Sequence, residues 1–171
     1  MQPVTLSNNV LNELCIQIAK SKHFYYEGST DYFTDLYLTG CRSTELLDIS
    51  RWRKINDVYE LTTLKTEAKR IIPQHLLSEN FKVAQLENKK PYNQLTYDQL
   101  TLELRKVSPM HPIWSGKRIA DTYLFRYNRA RQHFTVSQNI FITMDFFGWL
   151  STAIATNYVY TPLIFDSDRK L

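Results

Sequence analysis

Apolar residues recur at helical spacing over much of this chain of 171 residues. A first helix is predicted behind Ser7, a residue type that caps helix N-termini. The apolar positions that follow it have the repeat of one helix face: Val10, Leu11, Leu14, Ile18 and Ala19. A second helix is predicted from Thr30 to Gly40, because glycine readily ends a helix in the left-handed conformation.

The next element is predicted to be a short helix, with Ser43 or Thr44 as its cap and Glu45 in its first turn. The pattern then changes to strand between residues 57 and 73. Apolar residues on both sides of the segment 66–69 predict a hairpin that turns there and carries Lys65 near its tip. No Asn-Gly or Asp-Gly pair marks a tight turn, so the turn type stays open.

Helical spacing returns after the hairpin. Helices are predicted over residues 74–89, from Thr96 or Tyr97 to Lys106, over 115–134 and over 140–150, and 148–158 has the composition of helix and turn. The chain is therefore predicted to form one α+β domain, mainly α-helical, with a small antiparallel β-hairpin or sheet at one edge.

Composition and charge exclude few functional classes of protein. Hydrophobic residues make up 43% and charged residues 22%, as in ordinary globular domains, and a net charge of +4 mildly favours an anionic partner. Cys15 and Cys41 lack metal-ligand spacing and the four histidines form no HxH or HxxxH pair, so no metal or other cofactor is expected. With no signal-peptide pattern and no run of 18 apolar residues, no membrane association is expected, and the location is expected to be cytoplasmic.

The candidate chemistry lies near the C-terminus. Trp149 offers an indole N–H nine positions before Tyr158, and a tyrosine beside such a donor can act as a nucleophile if cations are supplied. Arg42, Lys65 and Arg126 are the upstream candidates. Each also has an ordinary interpretation: a surface arginine paired to Glu45, a solvated lysine, and a residue of a solvated amphipathic helix.

Four motifs occur in a fixed order. Residues 39–47 read T-G-C-R-S-T-E-L-L, and Lys65-Thr66 is followed by a basic, aliphatic and proline-ended exit at 69–73. Residues 123–126 read Y-L-F-R, and Gly148-Trp149-Leu150-Ser151 precedes Tyr158. From about residue 5 to 160 the chain thereby resembles the catalytic domain of the tyrosine recombinase (phage integrase) family. The family patterns T-G-x-R-x-x-E-L-L, H-x-x-R and G-H-x-S…Y carry the match.

The resemblance implies the tyrosine-recombinase catalytic fold and a DNA strand transferase of mobile genetic elements. Such an enzyme works through a covalent 3′-phosphotyrosine intermediate and needs no cofactor. The implied catalytic residues are Arg42, Lys65, Tyr123, Arg126, Trp149 and Tyr158, with Glu45 orienting Arg42. Tyr123 and Trp149 stand where histidine is usual; both can donate a hydrogen bond to a phosphate oxygen, but the indole cannot act as an acid or base.

Double-stranded DNA is the implied partner, with self-association on DNA as a dimer or tetramer, and the resemblance thereby implies a nucleoid-associated location in the cytoplasm. Further basic residues are expected to contact backbone phosphates: Arg51, Arg53, Lys54, Arg118, Arg129 and Arg131. Tyr160 is the rival nucleophile, two positions after Tyr158. The expected organisation is a single catalytic domain over 1–171 with a tail at about 159–171, without the family's N-terminal clamp domain, either as a fragment or as a minimal form.

Other functions stay open. A type IB topoisomerase or a telomere resolvase would use the same chemistry. A DNA-binding regulator on the same fold that has lost catalysis is favoured by Tyr123, whereas the retained Arg42, Lys65, Arg126 and Tyr158 oppose it. A helical protein without a role on DNA is the remaining alternative.

Overall fold

The computed structural model describes residues 4–108 and 122–165. Its helices are α1 Asn8–Ala19, α2 Ser29–Thr39, α3 Ser43–Leu47, α4 Glu79–Leu86, α5 Tyr97–Val107, α6 Tyr123–Ser137, α7 Ile140–Phe147 and α8 Thr152–Tyr160. Its strands are β1 Val4–Leu6, β2 Trp52–Ile55, β3 Val58–Thr62, β4 Lys69–Pro73 and β5 Leu163–Phe165. The predicted α+β class, mainly helical with a small antiparallel sheet, is confirmed.

The main sheet is antiparallel in the order β2-β3-β4. Trp52 pairs with Leu61 and Tyr59 with Ile72, and all four side chains are buried against the helices. The turn that joins β3 to β4 carries Lys65, as predicted. The sequence pattern did not reveal β2, because this strand of four residues has two adjacent exposed basic residues, Arg53 and Lys54, between Trp52 and Ile55.

A second, two-stranded sheet joins the two ends of the described chain. Strand β1 pairs antiparallel with β5, with Val4 opposite Phe165 and Leu6 opposite Leu163. The core beneath it is formed mainly by α1, α2 and α6. Its fully buried side chains include Leu11, Leu14, Tyr32, Phe33, Leu36 and Phe125. None of the helices in the described ranges combines the length and apolar character needed to cross a membrane.

Three local signals predicted element ends correctly. The Ser7 side chain accepts a hydrogen bond from the Val10 amide at 3.3 Å. Gly40 ends α2 with φ +63°, in the left-handed region. Thr96 caps α5, and its hydroxyl accepts from the Gln99 amide at 3.2 Å. Side chains and backbone conformations of this kind act over three or four residues, so the sequence alone is sufficient to identify them.

Other predicted ends were wrong. Helix α3 is capped by Arg42 rather than Ser43 or Thr44, because the Glu45 carboxylate reaches back to the Arg42 amide at 2.8 Å. The predicted helix over 74–89 is instead a 3-10 turn, Gln74–Leu76, followed by α4.

Two later helices also differ from prediction. The start predicted at residue 115 lies outside the described residues, and the described part of α6 runs to Ser137. Helix α7 ends at Phe147 instead of residue 150, because Gly148 adopts φ +67°.

A buried carboxylate ties α2 to the start of α4. Asp35 accepts hydrogen bonds from the Ser78 amide, the Ser78 hydroxyl and the Tyr92 hydroxyl, each at 2.7 Å. Burial raises the pKa of Asp35 to about 7, although the three hydrogen bonds from Ser78 and Tyr92 oppose the rise. Asp35 thereby holds Ser78, the N-cap residue of α4, whose hydroxyl also accepts from the Phe81 amide at 3.3 Å.

Stability should therefore fall as the pH rises from 5 to 8. The folded protein keeps a proton on Asp35 that the unfolded chain, with an ordinary pKa near 4, has already lost. This stabilisation is complete below the unfolded pKa and is lost as the pH rises through about 7. Between pH 5 and 8, the free energy of unfolding, measured with urea, should fall by about 2 kcal/mol more in the wild-type protein than in Asp35→Asn. A difference that does not change with pH would contradict the assignment.

Candidate active site

The first candidate cation is fixed by the α3 turn. Arg42 donates from Nη1 to Glu45 Oε1 at 3.0 Å, and the Arg42 amide donates to Glu45 Oε2 at 2.8 Å. Glu45 is fully buried and also accepts from the Leu64 amide at 3.2 Å, whereas 18% of the Arg42 side chain is exposed. The same carboxylate thus holds Arg42 and the hairpin tip together.

The second candidate cation, Arg126, comes from the first turn of α6. Its Nη1 donates to the Gly40 carbonyl oxygen at 2.7 Å, and only 1% of the residue is exposed. Gly40 lies two positions before Arg42, so this bond draws the two arginines to the same turn. A Cβ at Gly40 would come within 2.6 Å of Phe147 Cε1, so the turn has no room for a side chain.

A third guanidinium, of Arg70, belongs to the same buried region. Burial lowers the pKa of Arg126 to about 10, and the nearby charges of Arg70 and Arg42 add to this, but the group stays protonated at neutral pH. Burial alone would raise the pKa of Glu45; the Arg42 and Leu64 amides and the charges of Arg126 and Arg70 outweigh it and hold that pKa low. Three cations around one carboxylate leave a net positive site.

The candidate nucleophile lies against this cluster. The Tyr158 ring stacks on Trp149 with centroids 4.7 Å apart and lies 4.5 Å from the Tyr127 ring. The Arg126 guanidinium carbon is 5.6 Å from the Tyr158 ring and 5.4 Å from the Trp149 ring. The aromatic pair therefore covers one side of Arg126.

Several donors in this cluster lack acceptors. Within residues 4–108 and 122–165, the buried nitrogens Arg42 Nε, Arg126 Nε, Arg126 Nη2 and Trp149 Nε1 have no hydrogen-bond partner. A buried donor without a partner costs about 1–3 kcal/mol. Such donors beside a positive cluster are chemically suited to an incoming oxyanion.

A cleft of about 210 Å³ opens beside the two arginines, and its lining includes Arg42, Arg126, Tyr97, Thr122 and Tyr123. Tyr123 and Arg126 share a face of α6, as their spacing predicted, and 46% of Tyr123 is exposed. We name this space the Arg42–Arg126 cleft. It is wide enough for a small anionic group.

Lys65 stands apart from the other candidates. It is exposed at the hairpin tip, and it forms no hydrogen bond or ion pair with any residue in the described parts of the chain. Its neighbour Leu64 is anchored to Glu45, so the base of the tip is fixed while the lysine side chain remains solvated.

Solved structures share this arrangement of elements. A structure of XerH site-specific recombinase bound to palindromic difH substrate, a post-cleavage complex, is 17% identical with a TM-score of 0.61, and the match covers 97% of this chain and 51% of that one. XerA recombinase matches with a TM-score of 0.60, 17% identity and coverage of 93% and 59%. A lambda integrase(75-356) dimer bound to a COC′ core site matches with a TM-score of 0.57 and 16% identity, and the match covers 90% of this chain and 58% of that one.

The chain has the tyrosine-recombinase fold. It spans roughly half to three fifths of the length of these structures. A scan of protein-family models and a search of curated proteins each find no match. At 16–17% identity the structural likeness establishes the fold, and the chemistry has to be argued from the side chains.

The residues expected to contact DNA phosphates differ in how exposed their side chains are. Arg53 and Lys54 are exposed on β2, and Arg51 is partly exposed, bound to Asp48 and to the Thr62 carbonyl. Arg118 lies outside the described residues. Arg129 is half-buried with its guanidinium 5.3 Å from the Phe146 ring.

Arg131 has a different role from the one expected. It is 5% exposed, and it donates to the Tyr158 carbonyl at 3.0 Å, to the Asn8 side chain at 3.2 Å and to the Thr161 carbonyl. Its guanidinium holds the C-terminal end of α8, which carries the candidate nucleophile. The spacing of basic residues on α6 gave no sign that this one points inward.

Two further residues of the site were not singled out from the sequence. Arg70 is fully buried between the α2 end and α7, and Tyr97 lines the Arg42–Arg126 cleft from the start of α5. The basic exit of the hairpin, Lys69-Arg70, was the available signal for Arg70, but nothing in it indicated burial. Among the described residues, no group of three or more His, Cys, Asp or Glu side chains is arranged to hold a metal ion.

Replacing Glu45 with glutamine should destabilise the fold strongly. Glu45→Gln removes the negative charge that faces Arg42, Arg70 and Arg126 while preserving the volume. The loss should be about 3 kcal/mol in the free energy of unfolding, measured with urea, because it leaves buried cations uncompensated. Glu79→Gln, which breaks the exposed pair with Lys82, is the matched control and should cost less than about 1 kcal/mol. Equal losses in the two variants would show that Glu45 does not hold the cluster.

Proposed function

We propose that this chain is a site-specific DNA recombinase that cleaves and rejoins strands through a covalent 3′-phosphotyrosine intermediate. The observation that carries the proposal is the convergence of Tyr158 and Trp149 on Arg126, beside Arg42, in a site rich in unpartnered donors. The fold agrees, since XerH and lambda integrase, with DNA in their structures, share it.

A phosphodiester is the anion that fits the cluster best. It carries one negative charge, and its two nonbridging oxygens accept hydrogen bonds from planar guanidinium groups. Arg42, Arg126 and the Trp149 indole offer donors that lack acceptors in the described part of the chain. Because these atoms are buried, entry of the phosphate requires the Tyr158 and Trp149 rings to shift away from Arg126.

Tyr158 is the preferred nucleophile over Tyr160. Its ring lies beside Trp149 and Arg126, whereas the Tyr160 ring is 60% exposed and packs edge-on against Phe134 at 5.4 Å. Two positions along a helix turn the side chain to the opposite face. Tyr160 therefore points away from the cations that would stabilise the transition state.

In the proposed reaction, Tyr158 Oη bonds to phosphorus as the bond from phosphorus to the 5′-oxygen breaks. The phenol proton passes to solvent, and Lys65 donates a proton to the leaving 5′-oxygen. Arg42 and Arg126 stabilise the charge on the equatorial oxygens, and Trp149 donates a hydrogen bond to one of them. A 5′-hydroxyl from a partner strand then attacks the same phosphorus and releases Tyr158.

The role of Tyr123 separates two functions. As an exposed phenol in the Arg42–Arg126 cleft, it is placed to donate a hydrogen bond to phosphate. This residue in place of histidine favours a second candidate, a DNA-binding regulator without catalysis. That candidate predicts DNA binding with no covalent adduct.

Contacts with the DNA backbone are proposed for Arg51, Arg53 and Lys54, with Arg118 as a further candidate from the sequence. Arg53 lies on β2 with 71% of its side chain exposed. Such contacts fix the position of the protein on DNA and supply salt-dependent affinity, but they carry no base sequence. Arg131 is not included, because its donors are used within the chain.

Covalent trapping on a nicked suicide substrate tests the reaction. The wild-type protein and Tyr160→Phe should each form an adduct with DNA that survives denaturing electrophoresis, because Tyr158 Oη remains. Tyr158→Phe should form none, since phenylalanine has no nucleophilic oxygen. An adduct with Tyr158→Phe but not with Tyr160→Phe would reverse the assignment, and DNA binding without any adduct would favour the regulator.

The C-terminal strand is proposed to support assembly on DNA. Residues 163–165 pair with β1 of the same chain, and the same strand edge would suit β5 of a neighbouring copy. Truncation after Thr161 should therefore reduce the dimer and tetramer complexes on DNA, measured by analytical ultracentrifugation. Truncation after Phe165 keeps β5 and is the control. Unchanged assembly after the shorter truncation would exclude this role.

A further inference from the structure

Arg70 is a fully buried arginine in the middle of the fold. It is the second residue of β4, on the strand that leads away from the Lys65 turn, and its exposed fraction is 0%. Burying a guanidinium is costly unless its donors are satisfied. The contacts that it makes therefore indicate why the chain tolerates a charge at this position.

Each nitrogen of Arg70 bonds to a different point. Nη2 donates to the Thr39 carbonyl at 2.7 Å, and Nε donates to the Phe146 carbonyl at 2.7 Å. Nη1 lies 3.5 Å from Cys41 Sγ. The guanidinium carbon is also 5.1 Å and 5.0 Å from the rings of Phe146 and Phe147.

The acceptors of Arg70 belong to two segments that carry candidate residues. Thr39 is the last residue of α2, and the chain runs from it through Gly40 and Cys41 to Arg42. Phe146 is near the end of α7, which leads through Gly148 to Trp149. One planar side chain thus joins the Arg42 turn and the Trp149 turn to the strand of the hairpin.

The stem of Arg70 adds a packing contact on the Trp149 side. A Cβ built on Gly148 would lie 2.9 Å from Arg70 Cγ, so the Gly148 backbone rests directly on the arginine stem. Gly148 has φ +67°, the conformation that turns the chain from α7 toward Trp149. A shift of Arg70 would therefore change the direction in which the indole leaves the helix.

We propose that Arg70 is a positioning residue that sets the distance between the Arg42 turn and Trp149, and so fixes the width of the phosphate site. The inference rests on the proposed strand-transfer function for its consequence in catalysis, although its structural part can be tested without activity. Arg70 contacts no substrate in this arrangement; it acts through the backbone of the two turns. Lysine cannot replace it, because a single ammonium group cannot reach three acceptors that lie in different directions.

The test compares Arg70→Lys with Arg105→Lys, an exposed arginine of α5 for which no contact with DNA is proposed. Arg70→Lys should bind nicked DNA within about 3-fold of wild type, because it keeps the charge. Its adduct at saturating DNA should form about 100-fold more slowly, as expected for a displacement of about 1 Å in the site. Arg105→Lys should form the adduct at the wild-type rate.

Fluorine NMR supplies a readout that does not depend on catalysis. In protein labelled with 5-fluorotryptophan, the Trp149 resonance, assigned with Trp149→Phe, should shift in Arg70→Lys. The Trp52 resonance should stay in place, because that indole bonds to the Glu45 backbone carbonyl at 2.7 Å, which is not one of the Arg70 acceptors. General loosening of the fold would move both resonances and would overturn the inference, as would an unmoved Trp149 resonance.

The two proposals fail in different ways. If wild type forms no adduct, the strand-transfer function fails, and the Trp149 resonance still decides the role of Arg70. If wild type and Arg70→Lys form adducts at equal rates, the role of Arg70 fails and the function stands. Should Arg70→Lys not fold, hydrogen exchange in wild type decides: the Arg70 Nε proton should exchange far more slowly than that of Arg53. Equal exchange rates would overturn the inference.

Discussion

The Glu45 carboxylate lies where three segments of the candidate site meet. It binds the amide and the guanidinium of Arg42, and it binds the Leu64 amide at the hairpin tip. The backbone carbonyl of Glu45 accepts a hydrogen bond from the Trp52 indole at 2.7 Å, which attaches β2 to the same residue. Three arginines surround this single buried charge, so the site keeps an excess of positive charge that a phosphodiester would neutralise.

The parts of this arrangement that depend on neighbouring residues could be predicted from the sequence. The three-residue spacing of Arg42 and Glu45 indicated their pairing, and Gly40 marked the turn that leads into them. The hairpin and its lysine followed from the apolar pattern on either side of the turn. Such features act over a few residues, where the chain has little conformational choice.

The inward-facing roles of Arg70 and Arg131 could not be predicted, because their partners are remote in sequence. Arg70 bonds to residues 29, 31 and 76 positions away, and Arg131 reaches Tyr158, 27 positions away. A basic residue on a helix or strand has the same local pattern whether it faces solvent or the interior, and solvent is the usual direction. The expectation of a phosphate contact for Arg131 followed this usual direction, whereas the fold uses its guanidinium to hold α8.

The aromatic cover of Arg126 links the proposed nucleophile to the binding of its substrate. Moving the Tyr158 and Trp149 rings from the guanidinium gives up stacking and cation–π contacts of about 1 kcal/mol each. A phosphate that enters would gain charge-assisted hydrogen bonds of about 1.5–3 kcal/mol each with donors that lack partners now. Two such hydrogen bonds at the lower end of this range, about 1.5 kcal/mol each, offset the three contacts given up, and a third bond would exceed them. On this balance, we expect phosphate binding at the proposed site to be sufficient to release Tyr158 from its stacked position.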